Sequence, residues 1–110
     1  MTVTDTVILQ LYFAENERHR GELAYEWVLE RSKALGIPGG TALRGIAGYG
    51  RHGVLEQEGF FELAANLPIV LQFVCAASKA RELLQLLSAE RLAVFHTQAA
   101  VEAGWTVPPQ

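Results

Sequence analysis

Arg44, Arg51 and His52 stand in a run of sequence that otherwise exposes backbone: six of the chain's ten glycines fall between Gly39 and Gly53. Cationic side chains beside bare amide groups are suited to capturing anions. A guanidinium grips a carboxylate or phosphate, and N–H groups take the remaining oxygens. Glycine makes room by removing the Cβ that blocks close approach. The same glycines fit a second use, tight packing of a strand against its neighbour, with the charged groups solvated or paired. Gly48-Tyr49-Gly50-Arg51-His52-Gly53 matches a dinucleotide-binding glycine pattern. That pattern also needs parallel βαβ units and an acidic residue about 20 positions downstream, where this chain has an apolar segment. A phosphate loop fails as well, because Val54 follows Gly53 in place of lysine. The candidate ligand-binding residues are Arg44, Gly45, Gly48, Tyr49, Gly50, Arg51 and His52, with Tyr49 either stacked on a ligand ring or half-buried at a strand end.

Other reactive side chains form no recognisable constellation. His19, His52 and His96 lack local companions at metal-ligand spacing, so no metal is expected. His19 reads as solvated, and His96, alternating with Leu92 and Val94, reads as a sheet-face or interface histidine. Glu56, Glu58 and Glu62 read as a solvated acidic edge or as acid-base groups. None of Ser32, Ser78 and Ser88 lies in a nucleophile-elbow pattern. Cys75, the single cysteine, sits in the apolar run Ile69 to Cys75 and reads as a small core side chain. No catalytic residue is identified.

The elements that must position these residues follow from periodicity. Val7 to Phe13 is β-branched, aromatic and nearly continuous in hydrophobicity, which fits a central strand. Residues 14–21 are polar and read as a connection without structure of its own. From Glu22 to Leu35, Ala24, Trp27, Val28, Ala34 and Leu35 share a helical stripe, and Gly36 supplies a stop. Thr41 to Tyr49 is a weak strand interrupted by Gly45 and Gly48, for which a bulge or close backbone contact is the expected reason. Arg51 to Asn66 reads as a long loop. Pro68 opens a third strand to Cys75, Ser78 can cap a helix with Ala80, Leu83, Leu84 and Leu87 on one stripe, and Leu92 to Val101 reads as a fourth strand. The order β-α-β-β-α-β predicts an α+β, ferredoxin-like sandwich, a four-stranded antiparallel sheet with two helices on one face. At 110 residues this is a single domain, with a core from about 7 to 101 and short ends. A sheet with one uncovered face predicts self-association.

Half of the residues are apolar, yet no apolar run is long enough to span a bilayer, and the N-terminus lacks a secretory pattern. The expectation is a soluble, cytoplasmic protein. The net charge of -3 argues against nucleic acid as a partner.

Gly21-Glu22-Leu23-Ala24-Tyr25-Glu26, Leu43-Arg44-Gly45-Ile46-Ala47-Gly48-Tyr49-Gly50 and Asn66-Leu67-Pro68-Ile69-Val70 resemble segments of a family of small bacterial and archaeal proteins, domain of unknown function 190. The resemblance runs from Val7 to Val101. That family is similar in fold to PII signalling proteins, which implies a homotrimer with its sheets inward and a protruding loop at Arg51 to Asn66. In PII proteins, that loop and the intersubunit clefts bind adenine nucleotide and contact a regulated partner. Here Ala76-Ala77-Ser78-Lys79 stands where PII proteins carry a glycine-rich basic phosphate loop, so ATP binding does not transfer. The loop also lacks a tyrosine for nucleotidylation. The resemblance implies a non-enzymatic regulator with no bound cofactor. Its small anionic ligand, an adenine nucleotide among the candidates, would sit at the subunit clefts, and the 51–66 loop would signal to a protein partner, a membrane transporter among the candidates. Two rivals are a small enzyme using His52 or His96 with Glu56 or Glu58, and a ligand-independent adaptor trimer.

Overall fold

In the computed structural model, residues 5–50, 56–57 and 66–110 are described. The strands are β1 (Thr6–Ala14), β2 (Arg18–His19), β3 (Glu22–Leu23), β4 (Thr41–Arg44), β5 (Ala47–Gly48), β6 (Glu56–Gln57), β7 (Pro68–Ala76) and β8 (Phe95–Ala100). The helices are α1 (Ala24–Ala34) and α2 (Ala77–Ala89). One four-stranded sheet runs β4-β7-β1-β8, antiparallel throughout. This is the split arrangement of a ferredoxin-like sandwich, in which each helix connects two strands that are not neighbours.

Side-chain alternation divides the sheet. Val7, Leu9, Leu11 and Phe13 of β1 and Ile69, Leu71, Phe73 and Cys75 of β7 are buried in one cluster with Ala24, Trp27 and Val28 of α1 and Ala80, Leu83 and Leu87 of α2. Both helices therefore cover the same face. The opposite face carries Ile8, Gln10 and Tyr12 of β1 and Val70, Gln72 and Val74 of β7. By register, Thr41 and Leu43 of β4 and Phe95, Thr97 and Ala99 of β8 share that side. Not one of these residues is charged. Leu43, Val74, Tyr12 and above all Phe95, 73% exposed, are open to solvent there, and the Tyr12 and Phe95 rings pack 5.6 Å apart. A polar seam crosses the middle: Gln10 Nε2 donates to Gln72 Oε1 at 3.2 Å, while Tyr12 and Thr97 hydroxyls donate to Gln10 Oε1 at 3.2 and 3.3 Å.

Several elements differ from expectation for identifiable reasons. Residues 18–23 form a two-residue β-hairpin whose turn residues, Arg20 and Gly21, have φ of 52° and 80°, as a type I′ turn requires. On α1 the buried set includes Ser32, its hydroxyl bonded to the Leu29 carbonyl at 2.7 Å, whereas Ala34 is exposed. Gly36, φ 88°, ends α1 in a Schellman motif, with Ile37 N–H reaching the Ser32 carbonyl. Arg91, φ 59°, takes the same place after α2, where Leu92 N–H reaches the Leu87 carbonyl. Ser78 is not the cap of α2. The cap position is Ala76, and the Ala77 N–H is taken by the Asp5 carbonyl at 2.6 Å, which ties the helix start to the strand beside it. The fourth strand is shorter than 92–101, since the Schellman turn occupies its expected start.

Close approach explains Gly40. A Cβ there would stand 2.6 Å from Phe73 Cε1 and 3.2 Å from Leu29 Cδ2, both core neighbours, whereas one on Gly39 would meet nothing within 4 Å. Gly40→Ala is expected to destabilise by about 1–3 kcal/mol through overpacking, and Gly39→Ala to leave the urea midpoint near that of the parent. Equal midpoints for the two variants would contradict this packing.

Candidate functional site

The glycine-rich run breaks in two at the edge of the sheet. β4 stops at Arg44, the chain bends through Gly45 and Ile46, and β5 turns away to pair with β6. The bend wraps the ring of Pro68. Gly45 N–H donates to the Pro68 carbonyl at 2.7 Å. A Cβ on Gly45 would lie 2.8 Å from Pro68 Cγ, and one on Gly48 would lie 3.0 Å from it. These two glycines serve close approach to β7, the packing use. The pairing of Ala47 with Gln57 and Gly48 with Glu56 places a hairpin stem at what reads from sequence as a plain loop. Within the 51–66 segment only residues 56–57 and Asn66 are described. Arg51, His52, Glu58 and Glu62 lie outside the described residues.

Arg44 does not stand alone as an anion receptor. Its guanidinium donates to Glu15 Oε2 at 2.5 Å, and Glu15 is the less exposed partner, at 15% against 57%. The Glu15 backbone is fixed in turn, its N–H donating to the Leu67 carbonyl at 2.9 Å. An incoming anion must therefore share the guanidinium with Glu15 or displace it. A few residues on in the chain, Ile46 and Tyr49 are 74% and 77% exposed, so Tyr49 is not half-buried. Arg44, Gly45 and Gly48 thus lie at one end of the sheet, where the chain leaving it offers an ion pair, two exposed apolar side chains, Ile46 and Tyr49, and a bare backbone at Gly50. Such a ledge suits contact with a second surface better than enclosure of a ligand within one chain.

His96 is exposed on the edge strand β8 opposite Leu11. Cys75 is buried, and loss of solvation pushes its thiol above the ordinary range, which leaves it inert. Among the described residues, no group of three His, Cys, Asp or Glu side chains could hold a metal ion. No helix among them is long and apolar enough to cross a membrane.

Sequence reasoning missed a second cluster. His19, read as solvated, is only 15% exposed in its side chain. Its Nε2 lies 2.9 Å from Glu90 Oε1, and its ring meets Trp27 edge-on at 4.6 Å. Arg20 grips the same carboxylate through Nε at 2.7 Å and Nη2 at 3.3 Å, and Arg31 lies over the Trp27 ring. The pair is 71 residues apart, so the one local signal was Arg20-Gly21, a turn that brings His19 and Arg20 to the end of α2. Arg20 first, then His19, holds the Glu90 carboxyl down to about 2 from an ordinary 4.5. The folded state favours the carboxylate, so its contribution is fully present above the ordinary value and is lost as pH falls toward 2. Urea midpoints of the parent and Glu90→Gln are expected to differ most above pH 5 and to converge near pH 2. A gap constant across that range would contradict the clamp.

Residues 6–102 match the family described as domain of unknown function 190, uncharacterized. A UPF0166 protein of Aquifex aeolicus is 32% identical over 85 residues, 77% of this chain and 81% of that protein. A UPF0166 protein of Methanocaldococcus jannaschii is 40% identical over 67 residues, 61% of each chain. A family match spanning residues 6–102, together with a relative 32% identical over 77% of the chain, makes this chain a member of the DUF190/UPF0166 family.

Proposed function

We propose that the protein is a non-enzymatic, PII-like regulator that works as a self-associated assembly, a trimer by its resemblance to PII signalling proteins. In this reading a small anion binds at the seams between copies, and the 51–66 segment carries the signal to a partner protein. The observation that carries this reading is the uncharged open face of the sheet. In a chain with 19% charged residues, a four-stranded face without one charge is not built to meet water. Its seam of Gln10, Gln72, Tyr12 and Thr97 holds both donors and acceptors. Such a surface can meet its own copy without repulsion between like charges.

Two features support ligand sensing at the seams. The ledge of Arg44, Ile46 and Tyr49 lies where the open face ends, so copies meeting through that face would turn the ledge into a cleft. The Arg44–Glu15 pair supplies a cation already held in place, and an anion that displaces Glu15 would free a carboxylate fixed to the base of the loop-bearing hairpin. A ligand acts as a switch here only by preferring one arrangement of that hairpin.

Tyr12→Glu places a charge on the open face, where the side chain is already partly exposed. The variant is expected to fold and to sediment as a lone subunit while the parent does not. Identical sedimentation of both would contradict assembly through this face. Calorimetric titration of the parent with ATP, ADP, AMP, cyclic nucleotides and carboxylate metabolites is expected to find at least one binder. Arg44→Ala should weaken that binder about tenfold or more, the loss of a charged hydrogen bond. Silence across the panel would contradict anion sensing.

A further inference from the structure

We infer that Trp105 of one copy seats in the recess between α1 and the segment leading into β4 of a neighbouring copy, so that each recess is completed by the next chain. The inference rests on the self-association proposed above and adds the residue and the pocket through which neighbours lock. Residues 101–110 follow β8 without regular structure, and Trp105 and Val107 there are 78% and 69% exposed. Tryptophan is among the side chains enriched as buried anchors between surfaces. Pro108 and Pro109 stiffen the backbone just beyond it, which lowers the entropy lost on docking.

The receiving surface has matching chemistry. A half-open recess of about 300 Å³ is lined by Leu29, Ile37 and Pro38, the backbone of Gly39 and Gly40, and Lys33. Its remaining polar group, the Ser32 hydroxyl, is already bonded to the Leu29 carbonyl and makes no demand on an incoming ring. Gly39 presents bare backbone with nothing within 4 Å of a Cβ position, so a flat ring can lie against it. Lys33 offers a positive rim, and Glu102 stands three residues before Trp105. An apolar anchor preceded by an acid thus faces an apolar recess bordered by a base.

Topology determines which copy supplies the anchor. β4 and β8 are opposite edges of the sheet. Ala100 pairs with Val7, which pairs with Cys75, and Thr41 pairs with Gln72, so the end of β8 and the start of β4 lie toward the same end of the molecule. Within one chain, three strand spacings, about 14 Å, separate those edges, and the segment is exposed instead of crossing them. A head-to-tail contact of the β8 edge with the next copy's β4 edge brings segment and recess together, and such contacts form a ring when the rotation between copies closes.

The test uses two differently tagged copies in a Cys75→Ala background, one carrying Gly39→Cys and the other Gly104→Cys beside the retained Trp105, where a new side chain also meets nothing within 4 Å, co-expressed and treated with a mild oxidant. Gly39 has space for the new side chain. A disulfide joining both tags is expected, and it should be absent when Glu26→Cys, on the exposed side of α1, replaces Gly39→Cys. No mixed-tag disulfide in a preparation that sediments as an assembly would overturn this inference and leave self-association standing. Lone subunits in the same preparation would overturn both. A disulfide formed only within a chain carrying both cysteines would place Trp105 in its own recess and overturn docking between copies. Acrylamide quenching of the unsubstituted protein checks the result without cysteines. Trp27 is buried, so quenching reads Trp105, which is expected to be protected several-fold relative to free tryptophan. Full quenching would overturn the inference.

Discussion

Two helices can seal only one face of a four-stranded sheet when both crossovers fall on the same side, and in this fold both do. β1 and β7, the central strands, therefore divide their residues between two environments. Val7, Leu9, Leu11 and Phe13 lie in a dry core, while Ile8, Gln10 and Tyr12 have no element above them among the described residues. A strand cannot relieve that asymmetry by slipping, because a one-residue shift would exchange the two sets completely. The bare face is thus a fixed consequence of the core. Its lack of charge separates it from an ordinary solvent-facing sheet, whose outward positions are polar and commonly charged.

The glycine-rich strand is bound to the same framework. Gly40 lies against Phe73, and Gly45 and Gly48 lie against Pro68, so half of the six clustered glycines are accounted for by contact with β7 or its core. That contact bends the chain off the sheet edge and aims β5 and β6 away from the core. The region that could sense a ligand is positioned by packing, and its one described cation, Arg44, is already neutralised by Glu15. On the proposed reading, anion capture at this end of the molecule needs what a second surface adds.

The sheet, both helices and the buried place of Cys75 were legible in the sequence because each follows from a periodicity or a continuous apolar run. The close contact expected at Gly45 was legible for the same reason, since glycine in a strand pattern marks a missing Cβ. Other features depend on partners distant in sequence. The Arg44–Glu15 pair joins residues 29 apart, and the His19–Glu90 pair joins residues 71 apart. Nothing near His19 distinguishes a solvated imidazole from one held between a carboxylate and Trp27. Ser78 has the right residue type for a cap, yet the Asp5 carbonyl took the helix's first N–H, since the preceding strand places it there. The hairpin at Arg20-Gly21 was hidden by its polar composition, because two-residue strands are too short to show alternation.

Self-association requires that the uncharged face be covered, and the most direct measurement is the mass of the unmodified chain in solution by sedimentation equilibrium at micromolar concentration. The predicted result is a single species at a whole multiple of the 12.1 kDa subunit, three times that mass for the trimer. A well-folded species of 12.1 kDa that persists as concentration rises would contradict it.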